Sequence, residues 1–103
     1  MEPVFVEALE DLISLHTPRF REMVNGLTTH QVNLLKATLE GVVRFSSADV
    51  IRKYGLNSSA NVKRVKDALI KKEVLTFDQN DAPLFQDPLF EYWLRKYYFE
   101  IKE

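Results

Sequence analysis

Cysteine is absent from the 103 residues, so the chain can build neither a disulfide framework nor a thiolate metal site. A cytoplasmic location is the simplest expectation. No apolar run approaches the ~20 residues that a membrane-spanning helix needs, and no membrane partner is expected. The opening stretch MEPVFVEALEDL is acidic and amphipathic, without the basic start of a signal peptide. Histidine is scarce: His16 and His30 fall on separate expected helices, with no acidic or thiol neighbour at metal-ligand spacing. Glycine is scarce too, and Gly26, Gly41 and Gly55 each stand where a helix is expected to stop. Large net charge is also missing, since 14 Lys and Arg nearly balance 15 Asp and Glu.

The charge that is present is unevenly placed. Arg52, Lys53, Lys63, Arg64, Lys66, Lys71 and Lys72 lie within one segment, opposed there only by Asp67. The N-terminal stretch up to Val24 instead carries Glu2, Glu7, Glu10, Asp11 and Glu22 against Arg19 and Arg21. A nearly neutral chain with one basic segment can still hold a local nucleic-acid footprint.

Apolar spacing and capping residues divide the chain into short elements. PVFVEALEDLISLH places Phe5, Leu9, Leu12 and Ile13 at helical intervals. Thr17 and Pro18 then have the form of an N-cap and first helical residue, so a second short helix is expected up to Gly26. In LTTHQVNLLKATLEG, Thr28 and Gln31 fit a capping box, and Leu27 with Val32 fits a hydrophobic staple. VVRF is β-prone. SSADVIRKYG reads as a short helix closed by Gly55, and LNSSANVKRVKDALIKKE as a longer one over 58–72 with Val62, Val65 and Leu69 inward. VLTF and PLFQ, separated by DQNDA, predict a hairpin. Asp87 and Pro88 open a last helix containing Phe90, Tyr92, Trp93, Tyr97, Tyr98 and Phe99.

The order predicts a mostly α fold with a small β-hairpin. It is a winged helix-turn-helix over 27–86, preceded by two short helices in 1–26 and followed by an aromatic C-terminal helix in 87–103. The VVRF stretch would add a third strand. One stripe of the last helix (Phe90, Trp93, Leu94, Tyr97) is expected to close the core against Phe5, Leu9 and Ile13. Tyr92, Tyr98 and Phe99 fall off that stripe and are the candidates for a partner interface.

Three stretches carry a family resemblance. LTTHQVNLLKAT, YGLNSSANVKRVKDALIKKEVL and DPLFEYWLR together resemble the C-terminal winged-helix domain of archaeal-type, AAA-related P-loop ATPases, found in archaea and many bacteria. The last stretch is the most distinctive, through Asp87-Pro88, Phe90 and Trp93. The resemblance spans roughly residues 1–98 and makes the lead-in 1–26 look like the end of a lid. It implies a parent protein that uses ATP and Mg²⁺. This chain has no G-x-x-x-x-G-K-[ST] loop to cradle a phosphate, so no cofactor and no enzyme activity are expected of it.

The sequence holds no nucleophile–base arrangement, paired acids or metal-ligand cluster, so no catalytic residue is assigned. Function is expected at helix 58–72. A helix in the recognition position enters the DNA major groove with early exposed residues at base edges and flanking cations on phosphates. Ser59 and Asn61 would lie near bases, while Lys63, Arg64, Lys66, Lys71 and Lys72 would anchor phosphates. Duplex DNA is thus the expected partner. Asp78 and Asp81 at the wing tip oppose it, because a wing in the minor groove meets phosphate. The alternatives are a regulatory or dimerisation module, docking on the ATPase core or on a second copy, and a stand-alone winged-helix transcription regulator.

Overall fold

The computed structural model describes residues 3–101, with side chains described from residue 8 onward. Helix α1 spans Pro3–Asn25, α2 Thr29–Leu39, α3 Ala48–Tyr54 and α4 Ser59–Lys71. Strands β1 (Leu75–Phe77) and β2 (Pro83–Phe85) form an antiparallel hairpin, followed by α5 (Pro88–Trp93) and a π-helical turn over Leu94–Tyr98. Helices α2 to α4 and the hairpin make a winged helix-turn-helix, as the spacing predicts. The fold is mostly helical, with the hairpin as its small sheet.

The local signals explain most boundaries. Thr28 accepts from the Gln31 backbone N–H, and the Gln31 side chain accepts from the Thr28 N–H, so the capping box is complete. Ser47 and Ser58 cap α3 and α4. Gly55 closes α3 at φ +63°, a left-handed conformation open to glycine at little cost. Asp87 accepts from the N–H groups of Leu89 and Phe90, and Pro88 takes the first helical position, where its missing donor costs nothing.

Three expectations are corrected. The stretch before Gly26 holds one helix, not two: α1 continues through Pro18. Thr17 is not a cap, because its Oγ1 donates to the Ile13 carbonyl one turn back, at 2.8 Å. An interior proline costs about 3 kcal/mol, as the Ser14 carbonyl loses its donor and meets the ring. The helix persists because Ile13 lies before Pro18, Phe20 and Val24 after it, and all three are buried on one face. Each such burial contributes roughly 1.5–3 kcal/mol, so an unbroken α1 outweighs the defect.

The second correction concerns VVRF. The sheet has two strands, and residues 42–44 are not part of it. The backbone there is committed to closing α2: the Val42 N–H donates to the Ala37 carbonyl and Gly41 sits at φ +94°. Phe45 then turns inward to meet the Phe77 ring edge-on at 6.4 Å. The short span between a helix cap and a buried aromatic has no length left for a ladder.

The core joins α1, the helix-turn-helix and the C-terminal segment. Phe20 contacts both Phe90 (5.3 Å between centroids) and Trp93 (5.7 Å). Phe90, Trp93 and Leu94 are buried as expected, and Leu9 packs at the margin. The Phe5 side chain, expected to join them, lies outside the described residues. Tyr97 departs from the expected stripe and is exposed, while Phe99 packs on the core. The cause is the π turn, in which the Phe99 N–H donates to the Leu94 carbonyl. A wider turn rotates everything after it relative to an α-helix.

Candidate nucleic-acid interface

Helix α4 is held in place by contacts that sequence spacing does not reveal. Leu56 is fully buried and anchors the turn before it. The Asn61 amide donates one hydrogen to the Leu56 carbonyl at 2.8 Å and the other toward His30 Nδ1 at 3.1 Å. Both amide hydrogens are thereby used to tie the turn to α2. At the other end, the Lys72 ammonium donates to the Gly26 carbonyl and to Gln31 Oε1, both at 2.9 Å. Gln31, 7% exposed, thus receives a cation at the oxygen that also serves the capping box.

Lys66 is committed as well. Its ammonium meets Asp81 at 2.7 Å and lies 4.6 Å from the centroid of the Phe77 ring, with its side chain only 18% exposed. This pins α4 to the wing. The wing acids are also engaged: Asp78 Oδ1 accepts from the N–H groups of Asn80 and Ala82, and Asp81 sits at φ +62°. Asp78 therefore shapes the turn, and Asp81 neutralises Lys66. Their place in a polar loop between two strands was legible; these bonds were not.

Of the residues expected to contact DNA, Asn61 through its amide nitrogen and Lys66 and Lys72 through their ammonium groups donate to acceptors within the molecule. Ser59, Lys63, Arg64 and Lys71 are exposed, and none has a side-chain hydrogen bond or ion pair among the described residues. By helical spacing they share one face, with Asp67 one turn from both Lys63 and Lys71. Beside this face, α4 and the wing enclose a groove of ≈ 430 Å³ lined by Ser46, Ser59, Lys63, Asp67, Ile70 and Asp81, among others. On the neighbouring α3, Lys53 lies over the Tyr54 ring and Arg52 pairs weakly with Asp49 at 3.7 Å.

The aromatic segment forms a separate cluster. Tyr92 and Phe99 are half-buried against the core, while Tyr98 is exposed and packs against Trp93 (5.8 Å) and Phe99 (4.9 Å). Glu10 on α1 receives Lys96 at 2.5 Å and the Tyr97 hydroxyl. The Lys96 and Tyr97 hydrogen bonds hold the Glu10 carboxyl below its ordinary range. The same contact with Glu10 raises Lys96 and Tyr97 above theirs. Tyr54 is pushed up to about 12, first by burial and then by its hydrogen bond to Glu40.

Among the described residues, no group of three or more His, Cys, Asp or Glu side chains could hold a metal ion, and no helix is long and apolar enough to cross a membrane. The arrangement offers a cationic helix face beside a wing.

That combination defines a winged-helix protein. Residues 18–96 match the model of the family described as "Probable winged helix domain", and the chain belongs to that family. Comparison with curated proteins and with solved structures found no match.

Proposed function

We propose that this chain is a binding module that contacts duplex DNA through the exposed face of α4. The observation that carries the reading is the division of labour among the cations. Lys66 and Lys72 are bound to acceptors within the fold, whereas Lys63, Arg64 and Lys71 stand on one exposed face. Phosphate contacts from these three would position the helix, and Ser59 at its start lies nearest to base edges. The wing is a weaker DNA element, since Asp81 occupies its tip even while paired. Binding rather than catalysis is the activity proposed.

A mobility or anisotropy titration against duplex DNA at low salt tests this. With about three phosphate contacts, log K should fall against log salt with a slope of roughly −3. Lys63→Glu with Arg64→Glu should abolish binding. Absent binding by the wild type, or binding indifferent to salt, overturns the proposal.

The larger context is proposed from the resemblance: a C-terminal winged helix of an archaeal-type P-loop ATPase. Asp87-Pro88, Phe90 and Trp93 support it, as the residues that close the domain after the wing. A P-loop encoded upstream in the same gene is the decisive observation; a gene without one counts against this origin and leaves the DNA reading untouched.

A further inference from the structure

Helix α1 carries a second stripe, on the side opposite its buried face. Ile13, Phe20 and Val24 point to the core, while Ala8, Leu12, Leu15 and Pro18 are exposed in the other direction. Leu12 is 43% and Leu15 74% exposed, the latter the most exposed of the large apolar residues described. Asp11, Arg19 and Glu22 share the stripe, by helical spacing. Most of it precedes the segment that matches the winged-helix family.

We infer that this stripe pairs with the same stripe of a second copy, antiparallel, about a two-fold axis at Leu15. The residue pattern sets both orientation and register. With Leu15 against itself and the i±4 ridges of the two helices aligned, Asp11 faces Arg19 of the other copy, while Leu12 and Pro18 flank the crossing on either side. The Asp11–Arg19 contact occurs twice, as a two-fold interface requires. A parallel pairing would set Asp11 against Asp11 and Arg19 against Arg19, which like-charge repulsion disfavours. Asp11 has no ion-pair partner among the described residues. Arg19 meets Asp87 at 3.1 Å through one nitrogen, and a guanidinium has further donors for a second carboxylate. Antiparallel packing also sets the two helix dipoles head to tail.

The interface is small. Residues 8–22 cover about 21 Å of helix, so the contact falls below the ~1,200 Å² of a standard stable interface. Association is therefore weak and concentration-dependent, filled at high local concentration.

Sedimentation velocity of the full chain, across rising protein concentration at low ionic strength, reads this directly. The mass should climb from monomer toward dimer. Leu15→Glu places two carboxylates on the axis and should hold the chain monomeric, with its thermal unfolding unchanged because Leu15 is exposed. Asp11→Arg or Arg19→Asp alone should weaken the dimer roughly tenfold, since each substitution acts at two symmetry-related pairs. The double exchange should restore it. The absence of cysteine adds an orientation test: Leu15→Cys should oxidise to a linked dimer. A monomer at every concentration overturns the inference. So does a dimer that survives Leu15→Glu, or a double exchange no tighter than the single variants.

Discussion

Asn61 shows how one side chain can look like a DNA contact and act as a fold contact. It stands in the first turn of α4, where a recognition helix meets bases, yet both amide hydrogens are used toward Leu56 and His30. Asn61→Ala would leave the Leu56 carbonyl with the Ser58 N–H alone, at 3.0 Å, and remove the contact to His30. A hydrogen bond of this kind contributes about 0.5–1.5 kcal/mol. Chemical denaturation should therefore register the change in stability, and any loss of DNA affinity should follow the folded fraction; an unchanged midpoint would refute the structural role. Tyr54 makes a comparable argument through pH. Its folded pKa of about 12 stands above the ordinary 10.0, so the neutral phenol is favoured by folding. The stability this contributes is fully present below pH 10 and is lost as pH rises through about 12. Unfolding midpoints of the wild type should thus fall more steeply than those of Tyr54→Phe across that window. Parallel curves for the two proteins would remove Tyr54 as the cause.

At the scale of elements, Pro18 is a defect that burial on both sides carries. Pro18→Ala gives the Ser14 carbonyl a donor and relieves the clash, so it should stabilise the domain by about 1–3 kcal/mol. The measurement is a rise in Tm; an unchanged or lower value would mean that α1 has adapted its shape to the ring. This element also shows where the residues were legible and where they were not. Caps are local chemistry, so Thr28 and Asp87 could be placed from neighbours a few positions away. Thr17-Pro18 has the same local form as a helix start, and only the burial of Phe20 against Phe90 and Trp93 decides otherwise. Those partners come from the last helix, far along the chain from Phe20. The π turn is the same kind of case. An α-period carried through residues 94–98 places Tyr97 inside and leaves Phe99 off the stripe, and the extra rotation reverses both. At the candidate site, the basic face of α4 was visible from spacing alone. The partners of Lys66 and Lys72 were not, because Asp81 and Gln31 reach them from other elements.

Across the whole molecule, two faces carry the proposed contacts: the cationic face of α4 beside the wing for DNA, and the outer stripe of α1 for a second copy. The α4 face is not uniformly positive. Asp67 lies between Lys63 and Lys71, and its carboxylate would sit close to the phosphates that those cations approach. Asp67→Asn keeps the side-chain shape, removes one negative charge and leaves the buried face of α4 untouched. If DNA lies on this face, the exchange removes a repulsion of roughly 0.5–1.5 kcal/mol at low salt, a gain of about two- to tenfold in affinity. The gain should shrink as salt is added, because the charge is exposed and screened. A protein partner with a basic surface makes the opposite demand, since Asp67 would then attract it and Asp67→Asn would weaken binding. One variant, measured against duplex DNA across a salt series, therefore separates the two readings. Tighter, salt-sensitive binding supports the DNA face, and unchanged or weaker DNA binding counts against it.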